Sequence, residues 1–288
     1  EYYREKSWSF DDVQAFEILE NGPVRGCVYL KRQFMESTLE QYIYFYAHTK
    51  RIDFKTILDW RQHQLLVKAE FPVDILANEA TYEIQFGNVK RPTHKNTTWD
   101  QARFEVCAHK WADLSEAGYG VALLNDCRYG YDIHDSVMGL TLLKSGIFPN
   151  PDADQGVHEF TYSLYPHQGD FRTGSVIREA YDLNCPLYGM TEQTGQKKTY
   201  SFLTIGEENV LAETVKQAED GQGIIVRLYE AWGKRTRVHA AFDEPWKIEE
   251  CDLAEKAGRI LAENEKTAVF EIKPYEIKTL RLRRSKKG

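Results

Sequence analysis

The feature that most constrains what this chain can fold into is its hydrophobic period. It is two residues, the repeat of a half-buried strand, rather than the 3.6 of a helix. In STLEQYIYFYAH, Leu39, Gln41, Ile43 and Phe45 face one way while Tyr42, Tyr44 and Tyr46 face the other. RIDFKTILDW opposes Ile52, Phe54 and Leu58 to Asp53, Lys55 and Asp59. TYEIQF groups Tyr82, Ile84 and Phe86, and HEFTYSLYPH groups His158, Phe160, Tyr162 and Leu164. RFEVCAHKW reads as one further strand, with Phe104, Val106 and Ala108 against Arg103, Glu105, Cys107 and His109. Many short strands bounded by turn residues, without helical segments between them, predict an all-β fold built as an antiparallel sandwich.

One helix is predicted, over TGSVIREAYDLN (173–184), with Thr173 or Ser175 as its cap and Pro186 beyond its end. After about residue 190 the alternating pattern restarts. NVLAETVKQAED and QGIIVRLYEA flank Asp220-Gly221, a hairpin signal. KKTYSFLTI, TRVHAAF, KIEECDL, AVFEIKP and YEIKTLRLRR read as further strands. The expected organisation is a large antiparallel β-sandwich over 1–185 and a smaller one over 186–288.

Composition narrows the function. Aromatics make up 13% of the chain, with 17 Tyr and 14 Phe, and sugar rings stack on such faces. A net charge of −7 argues against nucleic acid as the partner. The 5 cysteines are widely spaced and form no CxxC pair, so neither a zinc knuckle nor a disulfide framework is expected, and reduced thiols suit the cytoplasm. No apolar run reaches transmembrane length, so no membrane partner is expected.

Three stretches concentrate chemistry. RPTHKNTTWDQARFEVCAHKW (91–111) carries His94 and His109, but no third ligand has diagnostic spacing, and a hydrogen-bonded polar face is its simpler meaning. In LLNDCRYGYDIH, a buried strand runs into a turn with Asn125, Asp126, Arg128 and Gly130. Those side chains suit either ligand contact or the turn's own backbone. In PNPDADQGVHEFTYSLYPH, Asp152, Asp154 and His158 are placed to meet a cation or sugar hydroxyls, or to serve turn chemistry. A pair of glycosidase carboxylates is defined in space and cannot be found by spacing.

RPTHKNTTWDQARFEVCAHKWADLSEAGYGVALLNDCRYGYD, followed by LTLLKSGIFPNPDADQGVHEFTYSLYPH, closely resembles the C-terminal β region of glycoside hydrolase family 38. These are the retaining α-mannosidases, and the likeness is to their cytosolic and bacterial branch. RIDFKTILDWRQHQLLVKAEFPVDI, RLYEAWG and IKPYEIKTLRL fit the same pattern. The resemblance implies a mutarotase-like supersandwich followed by a small sandwich. It places the aspartate nucleophile, the acid/base aspartate and a zinc ion in an N-terminal catalytic domain that these residues do not contain. EYYREKSWSF resembles a point already inside the β region, so the chain reads as an N-terminally incomplete fragment, inactive by itself. The catalytic domain and a mannose-containing oligosaccharide are its implied partners, with room for a homo-oligomer. The NDCRYG and DADQGVH loops resemble segments near the family's substrate cleft, which implies Asp126, Tyr129, Lys144, Asp154 and His158 as cleft-side groups that orient sugar hydroxyls or shape the zinc-side pocket rather than cleave the bond. A stand-alone lectin-like module is the alternative.

Overall fold

The structure is a computed structural model describing residues 6–191, 195 and 199–284. Its strands begin with β1 (Asp12–Asn21), β2 (Arg25–Phe34), β3 (Ser37–Tyr46), β4 (Ile52–Trp60), β5 (Leu66–Pro72), β6 (Glu79–Ile84) and β7 (Gly87–Pro92). A short helix, α1 (Thr98–Gln101), precedes β8 (Val106–Cys107), β9 (Trp111–Ser115), β10 (Tyr119–Asn125), β11 (Gly130–His134), β12 (Val137–Lys144) and β13 (Gly156–Gln168). After α2 (Val176–Asn184) come β14 (Leu203–Ile205), β15 (Val210–Gln217), β16 (Ile224–Glu230), β17 (Thr236–Cys251), β18 (Ala257–Ile272) and β19 (Ile277–Arg283). Among the described residues no helix is long and apolar enough to cross a membrane.

The chain forms two compact units, one of residues 1–84 and 89–188, the other of 85–88 and 189–288. In the first, a nine-stranded sheet has the order β1-β2-β3-β4-β13-β10-β9-β6-β7, and a four-stranded sheet has the order β5-β12-β11-β8. Alternation along each strand gives both sheets an apolar face. Leu58, Trp60, Tyr82, Leu114, Leu123 and Phe160 from the larger sheet share one core with Val67, Tyr131, Met138 and Leu140 from the smaller. This is a sandwich in which side chains of two inner faces interdigitate.

The second unit is a six-stranded sheet, β14-β17-β19-β16-β15 with β18 on β17. Its core holds Val226, Leu228, Val238, Phe242, Trp246, Ile248, Phe270, Leu280 and Leu282. Glu230, fully buried, is satisfied there, its carboxylate accepting from Asn209 Nδ2 and the N–H groups of Trp232, Gly233 and Tyr275, all within 3.0 Å.

The all-β architecture is as expected, and three local expectations are corrected. RFEVCAHKW is not one strand: β8 belongs to the smaller sheet and β9 to the larger. Between them the backbone leaves both ladders, with the Ala108 N–H donating to the Tyr129 carbonyl and the His109 N–H to the Glu83 carbonyl. His109 therefore does not share a face with Arg103 and Glu105. Instead Arg103 reaches Asp100, Glu105 accepts from Lys68 and Thr141, and the His109 ring lies 5.5 Å from that of Tyr129.

The expected cap of α2 is also absent. Ser175 occupies the N-cap with a left-handed φ of 60° and makes no side-chain cap bond. The preceding turn is held by Asp170, which accepts from the N–H groups of Arg172 and Gly174. Finally, TRVHAAF and KIEECDL are one strand, β17. Pro245 is tolerated because it falls where the ladder with β18 shifts register, between Ala241 and Trp246, so no ladder bond needs its missing N–H.

Candidate functional site

The candidate residues gather where β10 and β12 end and β13 begins. β10 pairs with β13 up to Asn125 opposite Tyr162, and β4 pairs with the other edge, His158 opposite Leu58. Asn125 is buried completely and satisfied on every side. Its Nδ2 donates to the His109 carbonyl at 2.7 Å and to Tyr131 Oη at 2.6 Å, and its Oδ1 accepts from the Arg128 N–H at 2.6 Å. Its carbonyl accepts from Asn184 Nδ2 at 3.0 Å. The loop 126–129 thus hangs from one anchored side chain.

Asp126 continues the ladder past the end of β10. Its N–H donates to the Thr161 carbonyl at 3.1 Å, and its Oδ2 accepts from the Thr161 N–H at 2.9 Å. Tyr129 is half exposed beside His109. Cys127 sits between them, its thiol pushed up to about 11 by burial and by Asp126, so it is a protonated thiol at neutral pH and no nucleophile.

Arg128 lays its guanidinium over Phe160, 4.3 Å from the ring centroid. Its Nη2 donates to His158 Nδ1 at 3.4 Å, and His158 Nε2 donates to the Asp154 carbonyl at 3.0 Å. These contacts suit the tautomer with its proton on Nε2. Asp154 has a left-handed φ of 57°, and its Oδ2 accepts from the Lys144 N–H at 3.1 Å. Asp154, His158 and the Lys144 backbone are therefore bonded into one cluster, joined to the Asn125 loop through Arg128. Asp126 and Tyr129 lie on that loop without touching the cluster directly. No side-chain bond joins Asp152 to it.

Sequence reasoning noted Arg128 but did not select it, because its role rests on Phe160 and His158, which are distant in sequence. It missed Phe148, which is 90% exposed on the loop that carries Asp154. Among the described residues no three His, Cys, Asp or Glu side chains converge to hold a metal ion. What the face offers is a set of hydrogen-bonding groups with aromatic rings beside them, at strand ends and on the loops between them.

Two β units, the first a two-sheet sandwich, define an all-β module, and comparison with known proteins identifies its family. Residues 1–152 match the family model described as the glycosyl hydrolases family 38 C-terminal domain, and residues 209–280 match that of the family's C-terminal beta sandwich domain. The chain belongs to glycoside hydrolase family 38 and carries its C-terminal domains. It is 40% identical over 280 residues to alpha-mannosidase G of Dictyostelium discoideum, covering 92% of this chain and 26% of that protein. It is also 40% identical over 273 residues to human alpha-mannosidase 2C1, covering 91% and 26% respectively. The chain therefore spans about a quarter of the length of these curated relatives. The crystal structure of an alpha-mannosidase from Enterococcus faecalis V583 shares the fold at a TM-score of 0.80 and 16% identity, over 93% of this chain and 34% of that one.

Proposed function

We propose that this chain is the non-catalytic β portion of an α-mannosidase that removes terminal α-mannose from oligosaccharides in the cytoplasm. It packs against a catalytic domain outside these residues and lends the substrate cleft Asp126, Tyr129, Lys144, Asp154 and His158. The observation that carries this reading is the Lys144–Asp154–His158–Arg128 cluster, fixed by bonds on two strands and a turn beside the exposed Tyr129. Such groups orient hydroxyls and leave bond cleavage to carboxylates elsewhere. The family's zinc is assigned to the catalytic domain. The described residues here gather no ligand set for it, and no role proposed for them runs through a metal. The boundary between the sandwiches is proposed at 185/186, supported by the compact units meeting at Tyr188 and Gly189.

Two measurements test the proposal. The purified chain should not hydrolyse an aryl α-mannoside, with or without added zinc or cobalt. In the full-length enzyme, His158→Ala and Tyr129→Phe should each lower kcat/KM by roughly tenfold to a hundredfold without changing the thermal midpoint. Unaltered kinetics in both variants would remove the face from the cleft. The exposed Phe148 and Tyr129 favour one second reading, a lectin-like module. Calorimetric titration of the chain alone with mannosides separates the two, since only that module retains affinity without the rest of the enzyme.

A further inference from the structure

Residues 91–111, set aside above as a polar face, enclose something more specific. A cavity of about 20 Å³ is lined on its polar side by Arg91, His94, Asp100, Arg103, Asp132 and His134. That is room for one small ion or water. Arg91, on β7, lies over the ring of Tyr82 at 4.6 Å from its centroid, and its Nη1 is buried with no hydrogen-bond partner. No ion pair reaches its side chain among the described residues. Burial pulls the Arg91 guanidinium below its ordinary pKa, and nearby Arg103 acts in the same direction.

Among the described residues neither carboxylate on the wall pairs with Arg91. Asp100 accepts from the Thr97 hydroxyl at 2.6 Å and from Arg103 at 3.4 Å. Asp132 pairs with Lys68 at 3.0 Å and His134 at 2.6 Å. Arg91 is left as a partly buried cation on the wall of a small void, with one buried donor unused. The side chains of His94 and Arg103 stand at its mouth, 40% and 49% exposed. A water molecule would satisfy the donor but not the charge; an anion satisfies both.

We propose that this cavity is a binding site for a small monovalent anion of halide or formate size, held by Arg91 Nη1 with Arg103 and His94 at the entrance. The proposal stands independently of the mannosidase reading. Its test is line broadening of the chloride NMR signal by the purified chain at constant ionic strength. Excess broadening that saturates, is displaced by formate and is weakened roughly tenfold or more in Arg91→Gln is the expected result. Arg103→Gln should weaken it by a smaller factor. No excess broadening by the wild-type chain, or equal broadening by a folded Arg91→Gln variant, overturns the proposal. Should Arg91→Gln fail to fold, Arg103→Gln decides: chloride affinity equal to wild type overturns it, and a reduced affinity supports it.

Discussion

At the scale of a residue, Asn125 carries the most weight for its size. It is 0% exposed, and both its donors and its acceptor are used, so truncating it takes a partner from the His109 carbonyl, Tyr131 Oη and the Arg128 N–H together, leaving Tyr131 Oη only its bond to the Leu123 carbonyl. Buried groups left without partners each incur their desolvation penalty, and losses within one network exceed the mean value of a single bond. Asn125→Ala is expected to lower stability by about 2–4 kcal/mol, read as a shift in the urea midpoint, with the loop 126–129 losing its order. Asp152→Ala is the control: it is exposed, its carboxylate holds no partner among the described residues, and its effect should stay within about 0.5 kcal/mol. Equal midpoints for the two variants would contradict the anchoring role. The sequence marked Asn125 only as part of a polar turn, because the His109 carbonyl and Asn184 that complete its bonds come from distant segments that no local spacing announces.

At the scale of the element, α2 and the end of β13 are held together by a missing side chain. His167 is buried with its Nε2 at 2.7 Å from Asp113 Oδ1, and Gly174 stands against the ring. A Cβ on Gly174 would come within 2.2 Å of His167 Nδ1 and 2.9 Å of the Asp170 carbonyl. Gly174→Ala should therefore push the imidazole off Asp113 and cost about 1–3 kcal/mol, the usual range for overpacking. Gly118→Ala, with nothing within 4 Å, should leave the thermal midpoint almost unchanged. Parity between these variants would show that the ring has room to move. The helix itself was legible in advance, since Val176, Ile177 and Ala180 carry its spacing and are buried as that spacing requires. Its start was legible too, as Ser175 is the N-cap; its left-handed φ and the missing side-chain cap bond were not. α1 likewise escaped notice, although Thr97 caps it by accepting from the Asp100 N–H at 3.1 Å. The strand pair β1–β2 was missed for a related reason: β1 is largely exposed on both faces, so burial imposed no alternation to read.

For the whole molecule, the fold class could be read because alternation is a local signal repeated in almost every strand. The site could be read only as far as loops. Asp154 and His158 are close in sequence, but Arg128 reaches them through antiparallel pairing of β10 with β13, which no spacing encodes. The second unit adds a constraint of chain order, since it includes residues 85–88. Phe86 meets the Tyr229 ring edge-on at 5.6 Å, Asn88 Nδ2 donates to the Ala231 carbonyl at 3.1 Å, and Tyr275 Oη donates to Asn88 Oδ1 at 3.3 Å. A fragment comprising residues 189–288 alone should melt below the same unit in the whole chain, and Phe86→Ala in the whole chain should reproduce part of that loss, roughly 1–2 kcal/mol. A fragment as heat-resistant as the intact unit would rule this out. The same arrangement bears on how such a protein can be shuffled in evolution or in the laboratory. A crossover placed between the two sandwiches would pair a small sandwich from one parent with a plug inherited from another. Chimaeras should tolerate that junction only when Phe86 and Asn88 travel with Tyr229 and Tyr275.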